Sequence, residues 1–264
     1  MQQNLISLWH FDENSRHIAI NALPGRNPLF IHGAVHRSRR FGQALELRLP
    51  GDRATGDGPG RLLCGSVCFW VQVNGGRGQV ELLNIQGMIQ ITIDLSQGLA
   101  LIASVDDRVL SSESRLSNGQ WHHITLTFNA DGLKLYLDAK KVAESDAHFA
   151  GLSVSSSRQN YLQIGPLPPA AGPVLIDELA LFNQDLMPAH IEDLLQGVLE
   201  PTLPNQNIPE PKFVDATAFV DRNDPSCGLQ KAIDSLGLAG GIVQLPMGRF
   251  ILRQSLKLTS RTLL

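Results

Sequence analysis

Strict alternation of apolar and polar residues is the strongest constraint in this chain. From Gly132 to Asp138, Leu133, Leu135 and Leu137 fall on one parity, and Lys134, Tyr136 and Asp138 on the other. Successive side chains of a β-strand point to opposite faces, so this pattern predicts a strand with one apolar side. Ile89–Leu95, Leu99–Ala103, Ile124–Phe128 and Val174–Phe182 read the same way, with Asn74-Gly75-Gly76, Asn118-Gly119 and Asp131-Gly132 as turns between such runs. Many short strands at this spacing predict an antiparallel jelly roll or sandwich rather than a parallel α/β sheet.

One helix is expected near the end of this region, with Pro188 at its first position and Ile191, Leu194 and Leu195 on one face, closing near Gly197. Pro201, Pro204, Pro209 and Pro211 follow within 200–212 and remove too many backbone donors for a helix or sheet interior. That stretch is read as a linker between domains 1–199 and 213–264. Beyond it, Asp224-Pro225 is expected to open a helix with Leu229, Ala232, Ile233 and Leu236 on its apolar face and Gly237 at its end. Gly240-Gly241 then leads to three short strands, Ile242–Leu245, Arg249–Leu252 and Leu256–Leu258, at the spacing of one coil of a parallel β-helix. The expected fold class is therefore all-β: an antiparallel jelly-roll β-sandwich plus a short capping helix and the first coil of a parallel β-helix.

The charge balance, 22 Lys+Arg against 25 Asp+Glu for a net charge of −3, argues against a nucleic-acid binder acting by phosphate neutralisation. No apolar run of about 18 residues is present, so no transmembrane helix is expected. The first residues are too short an apolar stretch for a signal peptide, so the expectation is another export route or a start inside a longer protein. The three cysteines cannot all pair. Cys64 and Cys68, four residues apart in a strand-like run, would lie roughly 13 Å apart, beyond disulfide reach. They are read as buried thiols.

The segments Leu8-Trp-His-Phe-Asp-Glu13, Phe41-Gly-Gln-Ala-Leu-Glu46, Gly65–Val71, Gly119-Gln-Trp-His-His-Ile-Thr-Leu-Thr-Phe128, Leu133–Asp138 and Ile176-Asp-Glu-Leu-Ala-Leu-Phe-Asn183 occur in one order over about residues 5–196. Together they resemble the LamG-like, concanavalin A-like jelly-roll family. The resemblance implies two packed antiparallel sheets with adjacent first and last strands, in a module that commonly binds glycans or proteins. Residues 213–264 look like the N-terminal start of the pectate-lyase-like right-handed β-helix superfamily, through Asp215-Ala-Thr-Ala-Phe219, Leu229-Gln-Lys-Ala-Ile-Asp234, Gly240-Gly241, Val243-Gln-Leu-Pro246 and Gly248-Arg-Phe-Ile251. Val220-Asp-Arg-Asn-Asp224 stands where that superfamily has a Gly-Ala-rich stretch. Its catalytic residues lie on later coils, so no catalytic residue is carried over.

Asp177 shares strand parity with Leu175, Leu179 and Leu181, and an ionised carboxylate among apolar groups is costly without a cation or several donors. The LamG-like resemblance implies a structural Ca²⁺ near the first and last strands, with Asp12, Asn21 and Asp177 as metal residues and carbonyls of the 21–27 loop as further ligands. The alternative is that Asp177 is satisfied by backbone or by an arginine. His122 shares parity with Ile124 and His123 with Thr125; both, and His10, are read as satisfied packing residues rather than ligands. Trp9, Trp70 and Trp121 fall at core positions of the resembled family. Tyr161, Tyr136, Phe30 and Phe149 remain as aromatics for sugar stacking. Gly56-Asp-Gly-Pro-Gly60 and Gly75-Gly-Arg-Gly78 are read as loops, and Arg37-Ser-Arg-Arg40 as a solvated turn.

The leading functional expectation is an accessory carbohydrate-binding or adhesion module, extracellular or at the cell surface, attached to a polysaccharide-acting β-helix protein. The alternatives are the front part of a polysaccharide lyase or glycoside hydrolase with a downstream active site, and a structural, tail-spike-like surface protein. A polysaccharide or glycan is the expected partner, and neither nucleic acid nor a membrane span is expected.

Overall fold

The computed structural model describes residues 4–13, 15–39, 42–106, 108–152, 160–196, 212–237, 241–245, 249–258 and 262–263. The chain divides into two units, Met1–Leu203 and Pro204–Leu264. The expected linker residues 200–211, together with Gly197, Gly240 and the turn at 246–248, lie outside the described residues.

The strands of the first unit are β1 (Leu5–Trp9), β2 (Ile18–Ala19), β3 (Leu29–His32), β4 (Val35–Arg39), β5 (Gly42–Leu47), β6 (Arg53–Asp57), β7 (Gly65–Val73) and β8 (Gln79–Ile85). They continue with β9 (Ile89–Asp94), β10 (Ala100–Val105), β11 (Arg108–Arg115), β12 (Trp121–Asn129), β13 (Gly132–Leu137), β14 (Lys140–Ser145), β15 (Tyr161–Ile164) and β16 (Val174–Phe182). One sheet runs β14-β13-β12-β7-β16-β5-β4 with β1 also on β16; the other runs β11-β10-β9-β8-β15-β6-β3-β2. Every pairing in both sheets is antiparallel. This is the two-layer solution that alternating strands require, because each sheet has one apolar face to bury.

The main core lies between the sheets. Phe69, Ile124, Leu133 and Leu135 from the first sheet belong to one buried cluster with Ile91, Ile93, Leu101 and Leu162 from the second. A second cluster lies on the outer face of the first sheet, where Cys68, Tyr136, Ala180 and Phe182 pack with Leu186, Ile191 and Leu194. The last two belong to α1 (Pro188–Leu195), whose first position is Pro188, a site where the missing N–H breaks no helical bond. This second cover explains why β7 is buried almost continuously rather than in alternation.

Several expectations are corrected. Cys64 precedes β7 and is only partly buried, whereas Cys68 and Cys227 are buried; all three are free. Trp121 at the start of β12 is partly exposed, while Trp9 and Trp70 are buried. Tyr136 and Phe149 are buried in core clusters and offer no sugar-stacking face. Arg37 sits in β4, not a turn, and its Nε donates to the buried Glu46 at 2.7 Å.

In the second unit, β17 (Lys212–Asp215), β18 (Gly241–Gln244) and β19 (Thr262–Leu263) pair in parallel in the order β17-β18-β19. The expected strands Arg249–Leu252 and Leu256–Leu258 are described but form no sheet pairing. Between the two stretches Arg253 N donates to Pro225 O, and within the second Lys257 N donates to Gln230 Oε1. Asp224 caps a turn ahead of the helix, accepting from the amide and hydroxyl of Ser226, so α2 (Leu229–Asp234) begins five residues after the expected cap. The expected apolar face, Leu229, Ala232, Ile233 and Leu236, does form a small core with Val214 and Val243.

Candidate functional site

The edge of β16 is shared end to end by two strands. Val174–Ile176 pairs with β5, and Leu179–Phe182 pairs with β1. Between them the register with β7 shifts at Asp177–Ala180, and Glu178 adopts φ 50°. The bulge inverts the strand's parity: Val174 and Ile176 face the inter-sheet core before it, and Leu179 and Leu181 after it. Asp177 therefore does not share a face with Leu179 and Leu181, as uninterrupted alternation would require.

Carboxyl groups gather at this junction. Asp177 is fully buried; its Oδ1 accepts from Glu178 N at 2.9 Å, and its Oδ2 has no partner. Burial pushes this carboxyl up to about 8, with the neighbouring Glu178 charge adding to it and Asp12 contributing less. Glu13 is driven up to about 7 by burial although Ile20 N donates to its Oε1 at 2.7 Å; its Oε2 has no hydrogen-bond partner. The His10 Nδ1 lies 2.8 Å from Glu178 Oε1. Burial opposes protonation of His10, but the Glu178 contact outweighs it and raises the imidazole. Asp12 Oδ1 accepts from Gln43 N at 2.6 Å, tying the end of β1 to β5.

Asp12 lies within electrostatic reach of Asp177, and Asn21 is bonded to the backbone of β1 and of its own loop. Asn21 Oδ1 accepts from Leu8 N at 3.3 Å and Leu23 N at 3.0 Å, holding the 21–27 loop along β1. Its carbonyl oxygen is committed to those amides, so the three residues do not fit one calcium shell. Among the described residues no group of three or more His, Cys, Asp or Glu side chains is arranged around a common metal position.

Asn21 instead lines a cleft of about 340 Å³, with Ser7 and Trp9 of β1, Arg26 and Asn27 of the following loop, and Gly58–Gly60 after β6. Its walls are fixed by side-chain bonds. Asn27 Nδ2 donates to Asp57 Oδ2 across the two loops. Asn160 Oδ1 accepts from Gly60 N and from Gln86 Nε2, each at 2.9 Å. A Cβ at Gly58 would stand 2.7 Å from Tyr161 O, so that loop closes only on glycine. Two buried donors of the lining, Trp9 Nε1 and Asn21 Nδ2, have no partner, although both residues are only 2% exposed. Sequence reasoning treated Trp9 as core packing and 56–60 as a plain loop; only the glycine-rich spacing hinted at a close approach of backbone.

The histidines of β12 are structural. His122 Nδ1 lies 2.7 Å from Asp138 Oδ2, and its Nε2 accepts from Ser117 N at 2.8 Å. His123 is buried, with its ring edge-on to Trp70 at 5.1 Å. The pairs pin the start of β12 to the end of β13. Among the described residues no helix is long and apolar enough to cross a membrane.

A laminin-G family model, described as the concanavalin A-like lectin/glucanases superfamily, matches residues 64–192. No curated protein matches the chain in sequence. Among solved structures, a sialidase from Trypanosoma rangeli is 13% identical over 74% of this chain and 33% of its own, with TM-score 0.57. A structure of botulinum neurotoxin type C, whose cell entry depends on interaction with two ganglioside molecules, is 12% identical over 74% of this chain and 51% of its own, with TM-score 0.58. Domain 4 of AbnA, a GH43 extracellular arabinanase from Geobacillus stearothermophilus solved with arabinotriose, is 19% identical over 73% of this chain and 98% of its own, with TM-score 0.57. The chain thus spans about a third of the sialidase and half of the toxin structure, and nearly all of the arabinanase domain. With the two antiparallel sheets described above, these similarities show that the first unit has a concanavalin A-like jelly-roll fold.

Proposed function

We propose that the jelly roll is a carbohydrate-binding module and that the cleft beside β1 is its sugar site. The observation that carries this reading is the polar cleft lined by Trp9, Asn21, Arg26 and Asn27 and held by cross-linked loops. Such small, largely pre-formed concavities with a few placed polar groups are where small ligands bind. The complex of the arabinanase domain with arabinotriose and the ganglioside interaction of the toxin support a glycan as the ligand class.

In this reading the module works outside the cell and is joined to a polysaccharide-acting protein. The parallel pairing of β17, β18 and β19 supports the second unit as the beginning of a β-helix coil. A calcium ion, where bound, sits at the junction of β1, β5 and β16 with Asp12 and Asp177 as ligands and a structural role. The unpartnered Asp177 Oδ2 supports that placement, and Asn21 lies outside it.

A glycan array probed with the full chain, followed by Trp9→Phe and Asn21→Ala variants, tests the proposal. Retention on a defined glycan that both variants weaken is expected. Absence of binding to every glycan on the array overturns it.

A further inference from the structure

Resting on the carbohydrate reading, we infer that the jelly roll carries a second sugar site, for an uncharged sugar residue, in a basin on the outer face of its first sheet beside the start of α1. The basin measures about 430 Å³. Leu126 and Phe128 of β12, with Leu133, Leu135 and Leu137 of β13, point into the inter-sheet core. Alternation therefore turns Thr127, Lys134 and Tyr136 to the opposite face, where register sets Thr127 beside Lys134 and Tyr136 beside Lys141 of β14. These four side chains line the basin, and residues 185–188 form its far wall. The wall is fixed at two points: Leu186 N donates to Ser66 Oγ, and Asn129 Nδ2 donates to Asp185 Oδ2, each at 2.8 Å.

Thr127 and Tyr136 are each only 4% exposed, yet neither hydroxyl makes a hydrogen bond among the described residues. Neither is among the unpartnered atoms sealed from solvent, so both open into the basin they line. A hydroxyl donates and accepts, and the hydroxyls of a sugar answer it in both roles. Charge selects in the same direction. The ammonium groups of Lys134 and Lys141 are offset by the carboxylates of Asp185 and Glu144, with Lys141 Nζ donating to Glu144 Oε2 at 2.5 Å. That balance leaves no surplus to hold a ligand of net charge, while Lys134 adds a donor and Asp185 an acceptor. Leu186, Met187 and Pro188 give the basin an apolar lip, with Met187 63% exposed. A pyranose carries the matching pair of features, hydroxyls around its rim and C–H groups on its faces.

The basin and the cleft beside β1 share no lining residue. They are separate sites on one rigid sandwich, the cleft built by loops and the basin by the face of a sheet. A module with two sugar sites holds a repeating glycan at two points, and the second engagement is intramolecular.

Magnetic resonance on the full chain, labelled with ¹³C at the methionine methyl groups, tests the site, with calorimetry alongside. The probes are the neutral sugars arabinotriose, cellotriose and lactose. At least one is expected to shift the Met187 methyl signal, assigned from Met187→Leu, and to leave that of the buried Met88 in place. Tyr136→Phe and Thr127→Val remove hydroxyls that bond nothing in the folded protein, so both variants keep the fold, which thermal melting verifies. Each is expected to weaken the Met187 titration about fivefold, the loss of one hydrogen bond, and the double variant to weaken it further. Lys140→Gln, at an exposed position of β14 outside the lining, is the control and is expected to change nothing. Sugar binding by calorimetry that leaves Met187 unmoved, an unchanged titration in the double variant, or an equal loss in Lys140→Gln overturns this inference while leaving carbohydrate binding in place. A Met187 shift driven by the zwitterion alanine and by no sugar overturns it as well. No binding of any sugar by either readout overturns the carbohydrate reading itself.

Discussion

Asp177 Oδ1 accepts the amide hydrogen of Glu178 at 2.9 Å, at the point where β16 passes from β5 to β1. Glu178 takes φ 50° there, a conformation a side chain rarely adopts without local support. The carboxylate that looked like an anomaly in an apolar strand is thus a bulge residue, and its second oxygen is the only part left unsatisfied.

Asp177→Asn keeps the acceptor for Glu178 and removes the charge. Burial raises the native carboxyl from 3.8 to about 8, so the folded protein holds a proton that the unfolded chain releases between those values. The stability of the native protein falls across that window and levels off above it. In chelator, the variant is expected to match the native protein near pH 4 and to exceed it near pH 8 by about 2–4 kcal/mol. Urea unfolding at the two pH values checks this, and an unchanged difference between them refutes it.

Calcium addition is expected to raise the melting temperature of the native protein, and EDTA to reverse the gain. At calcium a hundredfold above its dissociation constant the stabilisation is about 2.7 kcal/mol. Asp12→Asn and Asp177→Asn are expected to lose the response. Asn21→Ala, destabilised through the amides it leaves unpaired, is expected to keep it, because the Asn21 oxygen is already committed to Leu8 and Leu23. A response that depends on Asn21 as strongly as on Asp177 contradicts this division of the two sites.

Asp138 joins β12 to β13 by accepting from His123 N at 2.8 Å and contacting His122 Nδ1 at 2.7 Å. Burial acts to raise its carboxyl, but the bonds to His122 and His123 outweigh it and leave it below the usual value of 3.8. A depressed carboxylate stabilises above its unfolded value and loses that contribution as pH falls through the folded one. Asp138→Ala is expected to cost about 1–2 kcal/mol at pH 7, discounted for the half-exposed side chain, with the gap narrowing below pH 3.8. Thermal melts at pH 7 and pH 3 measure both limits.

Thiol labelling under native conditions is expected to modify one cysteine. Cys64 is partly exposed, whereas Cys68 and Cys227 are buried. Burial also pushes the Cys68 thiol far up, with the Glu178 charge adding to it, so its reactive thiolate is scarce. Mass spectrometry of the labelled peptides should find Cys64 alone in the folded protein and all three after unfolding. Rapid native labelling of Cys68 would contradict its place beneath α1.

Much of the sandwich was legible because a strand's period is local. Leu133, Leu135 and Leu137 reach the inter-sheet core as their alternation requires, and Pro188 opens α1. The junction was not legible, since one extra residue in a strand leaves composition unchanged yet inverts every side chain beyond it. Nor could the 249–258 segment be told from strands, because its backbone partners, Pro225 and Gln230, lie far away in sequence.

The sequence by itself determined the class of fold: alternating apolar positions and glycine turns leave two packed antiparallel sheets as the stable arrangement. Only the tertiary structure decided the sites. It bonded Asn21 Oδ1 to the backbone of β1, and gathered Trp9, Asn21 and Arg26 around one cleft. Periodicity reports which face a residue occupies along its own strand. Which groups meet, and which donors are left without partners, depends on register and loop closure between segments distant in the chain, and these are fixed only when the sheets pack.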